Sequence, residues 1–341
     1  MSSETTLSKS GRNNAIDIYR LVCAVMVVYG HTHANRPDGA NAVYYCTQVL
    51  RRMSVPFFFA VAGFFYTGAL LSGKKVYRKY VTNLVIVYSL WSAVYFTVKF
   101  FMQVVFGGER FFSFVAACIP DFFISGSYYH FWFFPALFFS VTFVTVCHKL
   151  KMLKLAAFFS ILLYIVGCLG CSYYGLGSRI PFMPILLDNS HFTFIRRAFL
   201  MGFPFFMMGY FLHAFKAESV KNKTLIVTII ISIALFILEY FFVIGQGLQR
   251  SIYLTVMLYP LLMQVIMLLL KNPAPNLYSL GRRTRLMSNF IFYSHPLLLL
   301  LFSEVFHMAD NVMFVLAASI TGLIGLAVSY SNKKWLNVLV K

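Results

Sequence analysis

The chemistry this sequence offers is densest on its first apolar stretch. In Ile16-Asp17-Ile18-Tyr19-Arg20, which runs on through Gly30 to His31, Asp17 and Arg20 stand three apart, share a helix face and can pair. Arg20 and His31 stand eleven apart, almost three turns, so the same face carries both at an axial separation of roughly 16 Å. One stripe thus presents a fixed cation at one end and, at the other, an imidazole that can take and return a proton near neutral pH. Ionisable side chains inside a bilayer are costly and mark function by default. The plainer account is that Arg20 snorkels to lipid phosphate and His31 caps the span. His33 faces away from His31, and no carboxylate or thiolate set with ligand spacing lies nearby, so no metal is expected.

Thinner candidates follow along the chain. His130 and Trp132 open the fourth apolar stretch, where aromatic belts also place such residues for no catalytic reason. His295 directly precedes Pro296, and a buried histidine bonded to a carbonyl freed by that proline would explain it without function. Glu239, Glu304 and His307 suit simple interfacial positions, and Lys99 suits a snorkelling lysine. Cys23 and Cys147 fall in apolar stretches. Cys46, Cys118, Cys168 and Cys171 fall near the outer side, where a disulfide among them stays unassigned. The C-x-x-C pair of Cys168 and Cys171 lacks a βαβ context and reads as small packing residues.

These residues must be held by membrane helices. Of 341 residues, 60% are hydrophobic and 11% charged, against about 25% charged in a soluble domain, which excludes an ordinary water-soluble enzyme and a disordered chain. Ten stretches approach the roughly 20 apolar residues that a span needs: 15–33, 53–72, 81–106, 130–148, 153–173, 198–215, 224–244, 251–270, 286–306 and 311–330. With the amino terminus inside, the alternate connections hold 19 of the 29 Lys and Arg residues, among them Lys74, Lys75, Arg78, Lys79, Arg282, Arg283 and Arg285. The outer connections hold eight: Arg36, Arg51, Arg52, Arg110, Arg179, Arg196, Arg197 and Arg250. Both termini are therefore expected in the cytoplasm. The net charge of +19 follows topology rather than one folded face, so nucleic acid is not an expected partner.

The expected fold is all-α: one bundle of about ten transmembrane helices over 15–332, with cytoplasmic tails at 1–14 and 333–341. Residues Arg110 to Ile124, rich in Phe and broken by Pro120 and Asp121, are too short to span and suit the outer interface. Asp17 and Arg20 intrude where the core of a secretory signal would begin, which argues against a cleaved leader. No internal repeat is visible.

Six fragments, in order, resemble the acyltransferase 3 family of integral membrane acyltransferases. The first is Ile16 to Arg20 followed by ten residues and His31. Pro56-Phe57-Phe58-Phe59-Ala60-Val61-Ala62-Gly63-Phe64 resembles the family's second-span segment, with Ala62 where Ser is usual. Lys75-Val76-Tyr77-Arg78-Lys79 resembles its basic R-x-x-R turn, with Lys75 in place of the first Arg and without that residue's bidentate fork. Tyr129 to Leu137, Arg197 through Phe206 to Gly209, and Ile291 to Pro296 resemble its later segments.

The resemblance implies transfer of a short acyl group, often acetyl, from cytoplasmic acyl-coenzyme A to a hydroxyl on an envelope sugar or lipid-linked glycan, in the bacterial cytoplasmic membrane. Attack of a hydroxyl on a thioester needs a base and a positive group for the tetrahedral oxyanion. On this reading His31 is the base, and Asp17 orients Arg20 toward the acyl donor or its phosphate. Lys75 and Arg78 meet coenzyme A phosphates, although topology alone would also explain them. His130, Trp132, Arg197 and His295 line the acceptor side or hold His31. A covalent acyl relay stays open. The lipid bilayer and the acceptor are the expected partners, with oligomeric state unassigned. Two rivals remain: a helical anchor or assembly partner without catalysis, which the ionisable candidates in the spans disfavour, and a transporter, since some members are proposed to move glycans and a related membrane module is fused to amino-acid racemases in certain glycopeptide-resistance proteins. The repeated halves and paired broken helices that many transporters show are not visible here.

Overall fold

The computed structural model describes residues 13–33, 42–188, 193–215 and 220–331. The expectations for both tails, for Arg36, Asp38 and Lys216, and for the Cys46 and Asp188 side chains lie outside what is described. The described residues form helices and no strand. In chain order these are α1 (Asn14–Thr32), α2 (Ala42–Leu71), α3 (Tyr77–Phe100, continued by a π-helix Phe101–Phe106), α4 (Phe111–Pro120, continued by a π-helix Asp121–Ser125), α5 (Phe133–Lys149) and α6 (Leu153–Gly170). After short helical turns and a π-helix at Arg196–Gly202 come α7 (Phe203–Ala214), α8 (Asn222–Gly245), α9 (Leu258–Lys271), α10 (Tyr278–Glu304) and α11 (Asp310–Tyr330).

Among the described residues seven helices are long and apolar enough to cross a membrane: α1, α2, α3 with its π-helical end, α6, α8, α10 and α11. The three other stretches expected to span form α5, α7 and α9, of 17, 12 and 14 residues. Two helices begin earlier than hydropathy suggested. α2 starts at Ala42, which places Arg51 and Arg52 inside a helix instead of a connection. α10 starts at Tyr278, so Arg282, Arg283 and Arg285 also lie within a helix, and the Arg283 guanidinium sits 4.1 Å from the Tyr330 ring centroid. Hydropathy windows miss such ends because arginine lowers the average even where the backbone continues to satisfy itself helically.

The chain divides into two compact units. The first comprises the described parts of Met1–Phe57, Lys216–Ser232 and Leu261–Lys341. Here α10 packs along both α1 and α11. The entry to α1 is pinned by two asparagines. Asn13 caps the helix by accepting from the Ile16 N–H at 2.9 Å, and its Nδ2 donates to the Leu269 carbonyl at 2.9 Å. Asn14 donates from Nδ2 to the Ala274 carbonyl at 3.0 Å and from its backbone N–H to the Pro273 carbonyl at 3.0 Å. Beyond this clasp the face of α1 carrying Cys23, Ala24, Val27 and Val28 is buried, the spacing of three and four residues that one helix face demands.

The second unit comprises Phe58–Phe215 and Ile233–Pro260. Its centre is the contact of α2 with α7. A Cβ on Gly63 would overlap the Phe206 carbonyl, and one on Gly209 would overlap the backbone of Gly63 and Phe64. Only hydrogen at both positions lets the two backbones meet, the use of small residues that packing in lipid favours. Polar tethers surround this contact. The Tyr66 and Thr145 hydroxyls lie 2.5 Å apart, and the Tyr164 hydroxyl donates to the Thr255 carbonyl at 2.6 Å. Lys99, expected to snorkel, has a carboxylate partner: its Nζ meets Asp121 at 2.7 Å, tying α3 to the π-helical end of α4. Among the described cysteines, Cys23, Cys118, Cys147, Cys168 and Cys171 are all free thiols.

Gly63→Ala must force backbone apart from backbone, so it is expected to lower stability by about 3 kcal/mol. Gly245→Ala, where a Cβ meets nothing within 4 Å, is expected to stay within about 0.5 kcal/mol. Thermal unfolding of the two variants in the same detergent checks both.

Candidate functional site

Within the first unit, α1 carries the expected stripe. The Arg20 Nη1 and the Asp17 carboxylate are 3.8 Å apart, with both side chains largely withdrawn from solvent. That separation is a loose ion pair, held by the i, i+3 spacing and by the Asn13 cap that fixes where α1 begins. At the far end, His31 continues the buried face of α1 but is itself exposed. Its ring stacks on His295 of α10, with centroids 5.4 Å apart and planes 25° apart.

His295 is fully buried. Its Nδ1–H donates to the Ile291 carbonyl at 2.7 Å, one turn back along α10 and next to the Phe292 carbonyl that Pro296 cannot serve. A carbonyl can only accept, so this bond fixes the tautomer and leaves the Nε2 lone pair on the other side of the ring. The sequence brings His31 and His295 from opposite ends of the chain. The packing of α1 against α10 places them in contact.

His33 is differently employed. Its Nε2 meets the Asn311 Oδ1 at 2.7 Å and its Nδ1 the Thr32 hydroxyl at 2.8 Å, while its ring stacks on Tyr29 at 4.3 Å. Both ring nitrogens are thus engaged. The His33 carbonyl accepts from Arg51 Nη1 of α2 at 2.9 Å.

In the second unit, Trp132 and Arg197 come together: the guanidinium lies 5.5 Å from the indole centroid, and its Nη1 points at the Ser125 carbonyl at 3.4 Å. Both are half-buried. Arg197 stands on the π-helix Arg196–Gly202, an irregularity of the kind found at functional positions. His130 instead is buried, with Tyr95 at 5.3 Å and Phe131 at 4.0 Å from its ring. Lys75 and Arg78 are exposed at the start of α3. Basic residues oppose the positive end of a helix dipole, so their place there reflects topology or an anion rather than helix stability.

Glu239, expected to be a simple interfacial residue, is a structural anchor. Its carboxylate accepts from the Tyr173 hydroxyl at 2.7 Å and from the backbone N–H groups of Val256 and Met257 at 2.6 and 2.8 Å, just before α9 begins. Burial and that carboxylate together push the Tyr173 phenol above its ordinary range. A carboxylate within an apolar stretch was the available signal, but the donors it serves are seventeen and eighteen residues away. Arg51 carries little signal in the sequence. As one of eight basic residues on the expected outer side, it runs against the inside bias, and that excess was its only mark in the sequence.

The fold and these ionisable residues define a multi-pass helical membrane protein with polar groups built into its apolar helices. Residues 13–331 match the family model described as an acyltransferase domain, and the chain belongs to that acyltransferase 3 family. It is 29% identical over 189 residues to an amino-acid racemase of Enterococcus faecalis, a match that covers 54% of this chain and 26% of the relative. A serine/alanine racemase of Enterococcus gallinarum is 26% identical over 189 residues, covering 53% of this chain and 26% of the relative. The chain thus spans about a quarter of the length of the curated relatives it matches. No solved structure matches it.

Glu239→Ala would strand three donors at once, and is expected to cost about 3 kcal/mol of stability. Unfolding of the variant beside the wild type in mixed micelles measures this. A difference under about 0.5 kcal/mol would remove Glu239 from the list of structural anchors.

Proposed function

We propose that the protein is a ten-helix membrane acyltransferase of the bacterial cytoplasmic membrane, with both termini in the cytoplasm. It moves an acetyl or other short acyl group from cytoplasmic acyl-coenzyme A to a hydroxyl of an extracytoplasmic or lipid-linked cell-envelope glycan. The observation that carries this reading is the exposed His31 stacked on the buried, tautomer-fixed His295, in a chain of the acyltransferase 3 family. An exposed imidazole held by a second ring is a base that can reach a substrate hydroxyl without losing its orientation.

His31 takes the proton of the acceptor hydroxyl as that oxygen attacks the thioester carbonyl. Roughly 16 Å away along α1, Arg20 meets the phosphate-bearing part of the donor, oriented by Asp17. Lys75 and Arg78 add charge for the donor's phosphates. Trp132 and Arg197 offer an apolar ring face and a planar cation, which together suit a sugar hydroxylated on its edge and apolar on its face. His130 holds the aromatic cluster beside them, and His295 positions His31.

A second reading is a membrane transporter of a glycan or a small amino-acid-like substrate. The matched relatives are named as racemases of amino acids, which ties this second reading to an amino-acid-like substrate.

One assay separates the two. Purified protein in nanodiscs is given acetyl-coenzyme A labelled in the acetyl group together with isolated envelope glycans, and both coenzyme A release and label transfer are followed. Transfer that falls by about 100-fold or more in a folded His31→Ala variant is the expected result. Without release from any short-chain acyl donor, and with uptake of an amino acid into proteoliposomes, the transporter reading replaces it.

A further inference from the structure

A hydroxyl that attacks a thioester makes a tetrahedral oxyanion, and the donors that hold it must lie beside the base. Arg20 stands roughly 16 Å from His31 along α1, which is farther than one side chain reaches, so the cation at the reacting carbonyl has to come from elsewhere. The first unit supplies one from α2. The Arg51 side chain lies across α1 at Gly30, where a Cβ would come within 3.2 Å of its Nε, and its Nη1 donates to the His33 carbonyl at 2.9 Å. The guanidinium therefore straddles the turn that presents His31.

Among the described residues no carboxylate pairs with Arg51. One bond to the His33 carbonyl uses one of its five N–H donors. One turn earlier on the same face of α2 is Gln48, 1% exposed, whose side-chain Nε2 and Oε1 are buried with no hydrogen-bond partner among the described residues. A buried amide left without partners is rare and costly unless something else completes it. A cation at the turn that carries His31, with an amide donor about 4.5 Å further back along the same helix, is a pair of donors of the kind an oxyanion requires.

We propose that Arg51, assisted by the Gln48 amide, is the oxyanion-holding group of this site. The inference rests on the acyl-transfer reading above. As the acceptor oxygen bonds to the thioester carbon, its proton passes to His31 and the carbonyl π pair moves onto oxygen, where Arg51 and the Gln48 Nε2–H hold it. Collapse restores the carbonyl and breaks the carbon–sulfur bond. The pair leaves with sulfur, and the imidazolium returns its proton to the thiolate. The other consequence concerns Gly30, whose missing side chain is what lets the guanidinium reach past α1 to His33.

The test uses two inert donor analogues, S-carboxymethyl-coenzyme A, which carries a negative charge where the oxyanion forms, and S-ethyl-coenzyme A, its neutral counterpart. Their binding to the full chain in nanodiscs is measured by calorimetry for the wild type, Arg51→Met and Gln48→Leu. The wild type is expected to prefer the charged analogue by about tenfold, as charge-assisted hydrogen bonds do. Arg51→Met should abolish that preference and still bind the neutral one, with Gln48→Leu in between. In turnover, Arg51→Ala should lower kcat by about 100-fold with KM for acetyl-coenzyme A unchanged, and added guanidinium ion should restore part of it. Because Arg51 also caps α1, thermal unfolding of each variant accompanies the titrations, and rescue by guanidinium is the readout a merely structural role would not give. Binding of S-ethyl-coenzyme A with no charge preference, or a preference that survives in Arg51→Met, overturns the assignment and leaves the acyl-transfer reading standing. Binding of neither analogue removes both.

Discussion

The packing of α1 against α10 is the contact on which the candidate site depends. α1 carries Asp17, Arg20 and His31 on one face, but a helix alone does not decide where that face points or how deep it sits. Asn13 and Asn14 settle both at one end, through bonds to the carbonyls of Leu269, Pro273 and Ala274 that fix the rotation and height of the helix. At the other end His31 lies on His295. A rotation of α1 by one residue, about 100°, would break both contacts together.

Elsewhere the interior uses the means that lipid favours, internal partners for polar groups and close approach in place of the hydrophobic effect. Gly63 against Phe206 and Gly209 is the close approach. Glu239 and the Lys99–Asp121 pair are the polar ties, and each joins segments that apolar packing would leave free to slide. The Gln48 amide is one of several buried polar groups without a hydrogen-bond partner among the described residues, and it stands one turn from Arg51.

Charge plays two roles in this chain. Lys75 and Arg78 are exposed at a helix start, where the dipole disfavours them, so helix stability does not account for them. Arg20, Arg51 and Arg197 are withdrawn from solvent and held in defined geometry by a carboxylate, a carbonyl and an indole in turn. Arginine suits such positions because its planar fork keeps donors to spare after the first contact is made.

By itself the sequence determined the class of fold, the position of most helices and the stripe of Asp17, Arg20 and His31, because hydropathy and the 3.6-residue period are local properties of the chain. Six short fragments also determined the family. The tertiary structure alone decided that His295 backs His31, that Arg51 reaches past Gly30 to the end of α1, and that Glu239 serves donors beyond its own helix. Each of these joins residues far apart in the chain, and which helices become neighbours follows from the fit of whole surfaces, which no local spacing encodes. Arginines at helix ends were misplaced into connections for a related reason. Their charge lowers the hydropathy of a window, whereas the backbone continues as helix wherever the neighbouring elements give the side chain a place to lie.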